Sequence, residues 1–177
     1  MHIRETSPTD TAVVRDIHVR AFGQDEEADL ALALLTDPSA EPRLSLLAEI
    51  EGSSAGHVLF TAVTIEGAAA TPRAAILAPL AVLPDRQAQG AGSALVRDGL
   101  SRLKQSGMVL VFVFGDPDYY GRFGFEAALP HGFTPTHPVP PEYEHGWLVQ
   151  SLTGGWPAAK DRIICADCLN DPKYWGD

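Results

Sequence analysis

The chain has 177 residues and a net charge of −10, with 45% hydrophobic and 20% charged residues. That length suits one domain able to bury a core without metal or disulfide staples, and residues 1–177 read as a single domain. Asp and Glu outnumber Lys and Arg by 23 to 13, which excludes general binding to nucleic acid or to an anionic membrane, since both need a positive surface. No apolar run approaches the length of a bilayer span, and Met1-His2-Ile3-Arg4-Glu5 lacks the apolar stretch of a signal peptide, so the expected location is the cytoplasm. Acidity permits a cationic substrate such as an amine, and it also serves plain solubility.

Ser7-Pro8-Thr9-Asp10 has the form of a helix start, a capping hydroxyl followed by proline in the first turn. Val13, Ile17 and Ala21 follow at helical spacing until Gly23. Asp25-Glu26-Glu27 opens a second helix, its charges suited to the positive end of the dipole. Leu30, Leu34 and Leu35 form its expected core face, and Asp37-Pro38 stops it. Leu44 to Glu51 and Gly56 to Ile65 read as the two strands of a hairpin around Gly52-Ser53-Ser54. Ala74 to Leu83 is the next strand. Pro79 lies inside it and cannot donate to a ladder, which predicts a bulge or an edge there. Gly92 to Ser106 is a helix with Leu95, Leu100 and Leu103 towards the core and Gly107 past its end. Met108 to Phe114 is continuously apolar, the pattern of a strand buried on both faces. A short helix begins at Tyr119, the proline-rich stretch Pro130 to Pro141 is a loop, and His145 to Leu152 and Arg162 to Ala166 are the last strands. The sum is an α/β chain with a mixed sheet.

Pro84-Asp85-Arg86-Gln87-Ala88-Gln89-Gly90-Ala91-Gly92-Ser93 lies between a strand and a helix. Glycines there let backbone N–H groups approach a ligand, and the helix adds free donors and the positive dipole end. This suits a pyrophosphate. No Lys-Ser/Thr follows the second glycine, so the loop is not a P-loop, and it lacks the GxGxxG dinucleotide fingerprint.

Gln87-x-x-Gly90-x-Gly92 after Leu80-Ala81-Val82, followed by Tyr120-Gly121-Arg122-Phe123-Gly124-Phe125, resembles the GNAT superfamily of N-acetyltransferases, in particular a branch of small bacterial members. The resemblance implies the GNAT acyltransferase fold, a mostly antiparallel central sheet with flanking helices. It implies acetyl-CoA as acetyl donor, held by Leu80, Ala81, Val82, Gln87, Ala88, Gln89, Gly90, Ala91, Gly92, Ser93 and Tyr120. It implies direct attack of an amine on the thioester, with backbone N–H groups of the interrupted strand polarising the carbonyl and Tyr120 protonating the thiolate. The amine belongs to a small molecule or a peptide, and a homodimer is a frequent assembly in the family. Asp116 stands where many members carry Asn, and an ionised carboxylate cannot donate the hydrogen bond an amide would.

Glu49 lies on a strand that often lines the acceptor side in this family and is one candidate for the general base, as are His57 on the next strand and a water molecule; the sequence does not single out the base. Tyr119 reads as structural, and Arg122, Phe123 and Phe125 as packing or surface residues. Cys165-Ala166-Asp167-Cys168 is a CxxC pair, but no second pair or His partner completes a zinc site, so two reduced thiols are expected and no metal. The other reading of the motif is a regulatory module that binds CoA without turnover.

Overall fold

The computed structural model describes residues 1–70 and 72–176. In chain order these form β1 (His2–Glu5), α1 (Thr11–Phe22), α2 (Glu26–Thr36), β2 (Leu44–Ile50), β3 (Ser53–Ile65), β4 (Ala74–Val82), α3 (Ala91–Gln105), β5 (Leu110–Phe114), α4 (Pro117–Tyr120), β6 (Glu126–Ala127), β7 (Trp147–Ser151) and β8 (Ile163–Ile164). The sheet runs in the order β1-β2-β3-β4-β5-β7-β6, with β8 added to the end of β3. Every pairing is antiparallel except that of β4 with β5. The mixed α/β architecture expected from the element order is therefore present, with an extra edge strand, β1, that is too short to read from its own sequence.

The Asp10 carboxylate accepts the Ser7 N–H at 2.7 Å, which sets the turn from which α1 starts. The buried face of α1 is Val14, Ile17 and His18, one residue round from the Val13–Ile17–Ala21 stripe. Helix α2 buries Leu30 and Leu34 as its spacing predicts.

In β5 the alternation is plain. Leu110 and Phe112 join the core on the side of α2 and the C-terminal segment, with Leu34, Leu59, Trp147 and Trp175. Val111 and Val113 join the core on the side of α3 and α4, with Val58, Phe60, Leu95 and Leu103. Burying both faces requires a continuous apolar run, and Leu110–Phe114 is one. The segment after β6 is built into the same sheet, since β7 lies between β5 and β6.

Pro79 marks the irregularity that positions the site. Val58 pairs with Leu80 and Phe60 with Leu77, so Ala78 and Pro79 stand opposite Leu59 alone, a bulge. The parallel ladder with β5 covers Ala74–Leu77 and goes no further. Past it, β5 leans towards β7, where the Gly115 N–H donates to the Gly146 carbonyl at 2.9 Å. Leu80–Val82 thus keeps β3 on one side and opens onto a splay on the other.

Candidate active site

Leu83 N–H donates to the Ala55 carbonyl of β3 at 2.8 Å. Backbone groups alternate sides along a strand, so Ala81 also faces β3, while the N–H and C=O groups of Leu80 and Val82 face the splay. The Val82 carbonyl accepts from Gln87 Nε2 at 3.3 Å, which ties the following loop to the strand. Ala88 takes a left-handed backbone at φ 62°, and Gly90, the residue before α3, does the same at φ 87°. No side chain caps α3, so the N–H groups of its first turn remain without protein acceptors. They face a cleft of about 520 Å³ lined by Leu80, Val82, Arg86, Gln87, Ala88 and Gly90, and further by Ala91, Gly92, Ser93, Tyr119 and Arg122.

Four features converge there: free donors, a helix dipole of 15 residues, two arginines and the open strand edge. In a chain of net charge −10 that local positive field selects an anion. Arg122 donates to Ser93 Oγ at 3.4 Å, and its guanidinium lies 4.6 Å from the centre of the Tyr119 ring. Tyr120 is buried beside them, edge-on to Phe125 with centroids 5.7 Å apart. Burial, and secondarily its neighbour Tyr119, pushes the Tyr120 phenol well above its ordinary range. It is a neutral O–H at physiological pH, able to donate a hydrogen bond.

A family model described as an acetyltransferase (GNAT) domain matches residues 2–128. The chain is 44% identical over 163 residues to the uncharacterized N-acetyltransferase YjhQ of Escherichia coli K12, covering 92% of this chain and 90% of that one. The GNAT N-acetyltransferase YhbS of E. coli, solved in complex with CoA, superposes with TM-score 0.84 and 30% identity over 96% of this chain and 92% of that one. A GNAT acetyltransferase of Brucella melitensis, solved with acetyl-CoA, gives TM-score 0.75 and 29% identity over 95% of this chain and 97% of that one. The chain belongs to the GNAT family of acetyltransferases.

Most of the residues that the GNAT resemblance assigns to the cofactor are brought together, but not all. Leu80, Val82, Gln87, Ala88, Gly90, Ala91, Gly92 and Ser93 line one cleft. Ala81 does not: its side chain is buried on the opposite face with Val14 and Ile17, because side chains alternate along β4. Gln89 turns back on the loop and donates to the Asp85 carbonyl at 3.2 Å. Tyr120 stands behind the cleft wall, whereas Tyr119 and Arg122, read as structural or surface residues, form part of that wall. The signal was available, since Arg122 follows Tyr119 by three positions and stacks over it on the short helical segment. Arg86, inside the loop, was passed over as well.

Glu49 is not drawn into the cleft. Its carboxylate accepts from Arg4 Nε at 2.9 Å, and Arg4 also holds Asp10, so β1, β2 and the start of α1 are joined by one ion-pair network. His57 is fully buried, with Nδ1 2.8 Å from His18 Nε2 and Nε2 2.8 Å from Ser45 Oγ. Asp116 caps α4, where Oδ1 accepts the Asp118 N–H at 2.9 Å. An acceptor is what that position requires, so Asp serves there as well as Asn. Burial, and then Asp37, pushes the Cys168 thiol up to about 12, and burial also raises Cys165, so both stay protonated. Among the described residues no cluster of metal-ligating side chains occurs.

Proposed function

We propose that this acetyltransferase draws its acetyl group from acetyl-CoA held in the cleft and passes it to an amine by direct attack on the thioester. The observation that carries the reading is the coincidence of the splayed edge at Leu80–Val82 with the uncapped start of α3 in one cleft. The cofactor's diphosphate lies on the N–H groups between Ala88 and Ser93, with Arg86 and Arg122 supplying positive charge. Its pantetheine arm runs as a substitute strand along the outward-facing backbone of Leu80 and Val82, and one of their N–H donors stabilises the oxyanion as the carbonyl is attacked. Tyr120 gives its proton to the departing thiolate. Glu49 takes no step, because its carboxylate already neutralises Arg4.

The same acidic chain favours an acceptor that is cationic in solution. The test is a melting experiment. Acetyl-CoA binds the native state only, so it raises the midpoint once its concentration exceeds its dissociation constant. An unchanged midpoint at millimolar acetyl-CoA would contradict the proposal.

A further inference from the structure

A separate open cleft of about 310 Å³ lies at the end of β5. Phe114, Gly115 and Asp116 line it from the strand end, and Tyr143, His145 and Gly146 from the turn before β7. It shares no residue with the cofactor cleft.

Its place follows from the way β4 and β5 part. Their last parallel pair is Leu77 with Val113. Beyond it, Leu80–Val82 makes one wall of the splay and Phe114–Asp116 the other. The Gly115 N–H is taken by the Gly146 carbonyl of the β7 side, so the backbone groups of Phe114 and Asp116 face the splay. The two faces of this wall differ. A Cβ on Gly115 would stand 2.5 Å from the Tyr120 ring, so that face belongs to Tyr120. The Phe114 ring lies on the other face, stacked on Trp175 with centroids 6.2 Å apart. Tyr143 is on this side too, since a Cβ on Gly176, next to Trp175, would stand 3.5 Å from its ring. The cleft therefore meets the splay at Gly115 and Asp116, from the face opposite Tyr120.

The two clefts are opposite in charge. Arg86 and Arg122 line the cofactor cleft with no carboxylate, whereas Asp116 lines this one with no Lys or Arg. Asp116 Oδ1 caps α4 by accepting the Asp118 N–H at 2.9 Å. A cap needs only an acceptor, which a neutral amide would supply, so the negative charge is surplus to that task. No ion pair among the described residues uses it. Tyr143 is 50% exposed and brings an aromatic ring to the same cleft. A carboxylate beside an aromatic ring is the pairing that holds an organic ammonium. His145 adds an imidazole that can hydrogen-bond the rest of the molecule.

We propose that this cleft is the acceptor subsite and that it selects a compact primary amine in its cationic form, with the ammonium on Asp116 and the body against Tyr143. Asp116 and Tyr143 are then the residues that set specificity. The nitrogen that attacks has first released one proton to water at the open mouth of the cleft. It enters across Gly115 from Tyr120, so the arriving amine and the departing thiolate are served from opposite faces of the strand end.

This inference rests on the cofactor reading, and the test keeps their failures apart. Protein saturated with CoA is titrated at fixed pH with phenethylamine, putrescine and ethanolamine, and with 2-phenylethanol as the uncharged control. NMR follows the His145 ring signals, assigned by their loss in His145→Gln, and melting curves read CoA binding. The expected result is a saturable shift at millimolar concentration with at least one amine and none with the alcohol. Asp116→Asn keeps the cap acceptor and removes the charge. It should weaken that shift about ten-fold and leave CoA affinity unchanged. Thiol release from acetyl-CoA with the tightest of these amines should follow, KM for the amine rising about ten-fold in Asp116→Asn while KM for acetyl-CoA stays within two-fold. No shift with any of the amines although CoA raises the melting midpoint, or an amine that shifts the signals and is not acetylated, overturns the acceptor subsite alone. So does a loss in Asp116→Asn that falls on CoA instead of the amine. No change in midpoint with CoA overturns the cofactor reading and this inference with it.

Discussion

The hydroxyl of Tyr119 fills the space a side chain on Gly92 would need: a Cβ there would stand 2.7 Å from that oxygen. The second glycine of the loop is therefore fixed by a residue on α4 as much as by the ligand. Gly92→Ala should displace the Tyr119 ring and weaken acetyl-CoA binding several-fold in calorimetry. The double variant Gly92→Ala with Tyr119→Phe should regain much of the loss, since the next atoms, Val82 Cγ2 at 3.5 Å and Tyr119 Cζ at 3.9 Å, are at ordinary contact distance. Additive losses in the two variants would mean that the contact is not the constraint.

The two adjacent tyrosines should separate kinetically. Tyr120→Phe removes one hydroxyl and keeps a buried ring, so kcat should fall by about 100-fold while KM for acetyl-CoA stays within two-fold. Tyr119→Phe should do the reverse and raise KM, because the hydroxyl it removes packs against Gly92 at the cofactor cleft. Steady-state kinetics on both variants decides the matter, and a kcat loss in Tyr119→Phe alone would transfer the acid role to it.

Arg122 sits over Tyr119 and against Ser93, at the edge of the loop. Arg122→Ala should weaken acetyl-CoA binding and flatten its dependence on salt, because a screened charge contact has been removed. Titrations at low and high ionic strength check this. Equal salt slopes in wild type and variant would show that Arg122 carries no cofactor charge.

The buried histidines give stability a pH dependence of known sign. Burial lowers both below the ordinary value of 6.5, so in acid the unfolded chain binds protons that the folded chain refuses. Stability from this source is complete above about pH 6.5 and is lost as the pH falls below it, by about 1.4 kcal/mol per pH unit for each histidine. His18 adds to the lowering at His57, and Asp10 pulls only weakly the other way. The double variant His18→Gln with His57→Gln should flatten the melting midpoint between about pH 7 and pH 5. An unchanged slope would place the acid sensitivity elsewhere.

Much of the fold was legible because local chemistry and tertiary structure agree. The all-apolar run Leu110–Phe114 is buried on both faces, and Pro79 interrupts its ladder where proline must. The loop from Gln87 to Ser93 was read as an anion site because of its context, between the strand Leu80–Val82 and a helix and ahead of the Tyr120–Phe125 stretch, since two glycines before a helix are often just a turn. What local spacing did not reveal was facing. Ala81 and Gln89 belong to the motif in sequence but point away from the cleft, since β4 alternates and the loop folds back on Asp85. Glu49 was chosen for its strand, and its partner Arg4 lies on an edge strand of four residues that carries no periodic signal. The rotation of α1 by one position hid His18, whose partners come from β3 and β2. Long-range pairing of that kind leaves no trace in local spacing.

The central claim is that the start of α3 holds the cofactor's diphosphate, and Ser93→Glu tests it most directly. A carboxylate in the first turn suits the helix dipole, so the fold should be kept or slightly stabilised, while the charge opposes a phosphate in the same cleft. Calorimetric titration of acetyl-CoA into wild type and Ser93→Glu is the measurement. Saturable binding to the wild type and its loss by at least ten-fold in the variant, with an undiminished melting midpoint for the free protein, is the predicted result. Equal affinity in the two proteins would show that the diphosphate lies elsewhere.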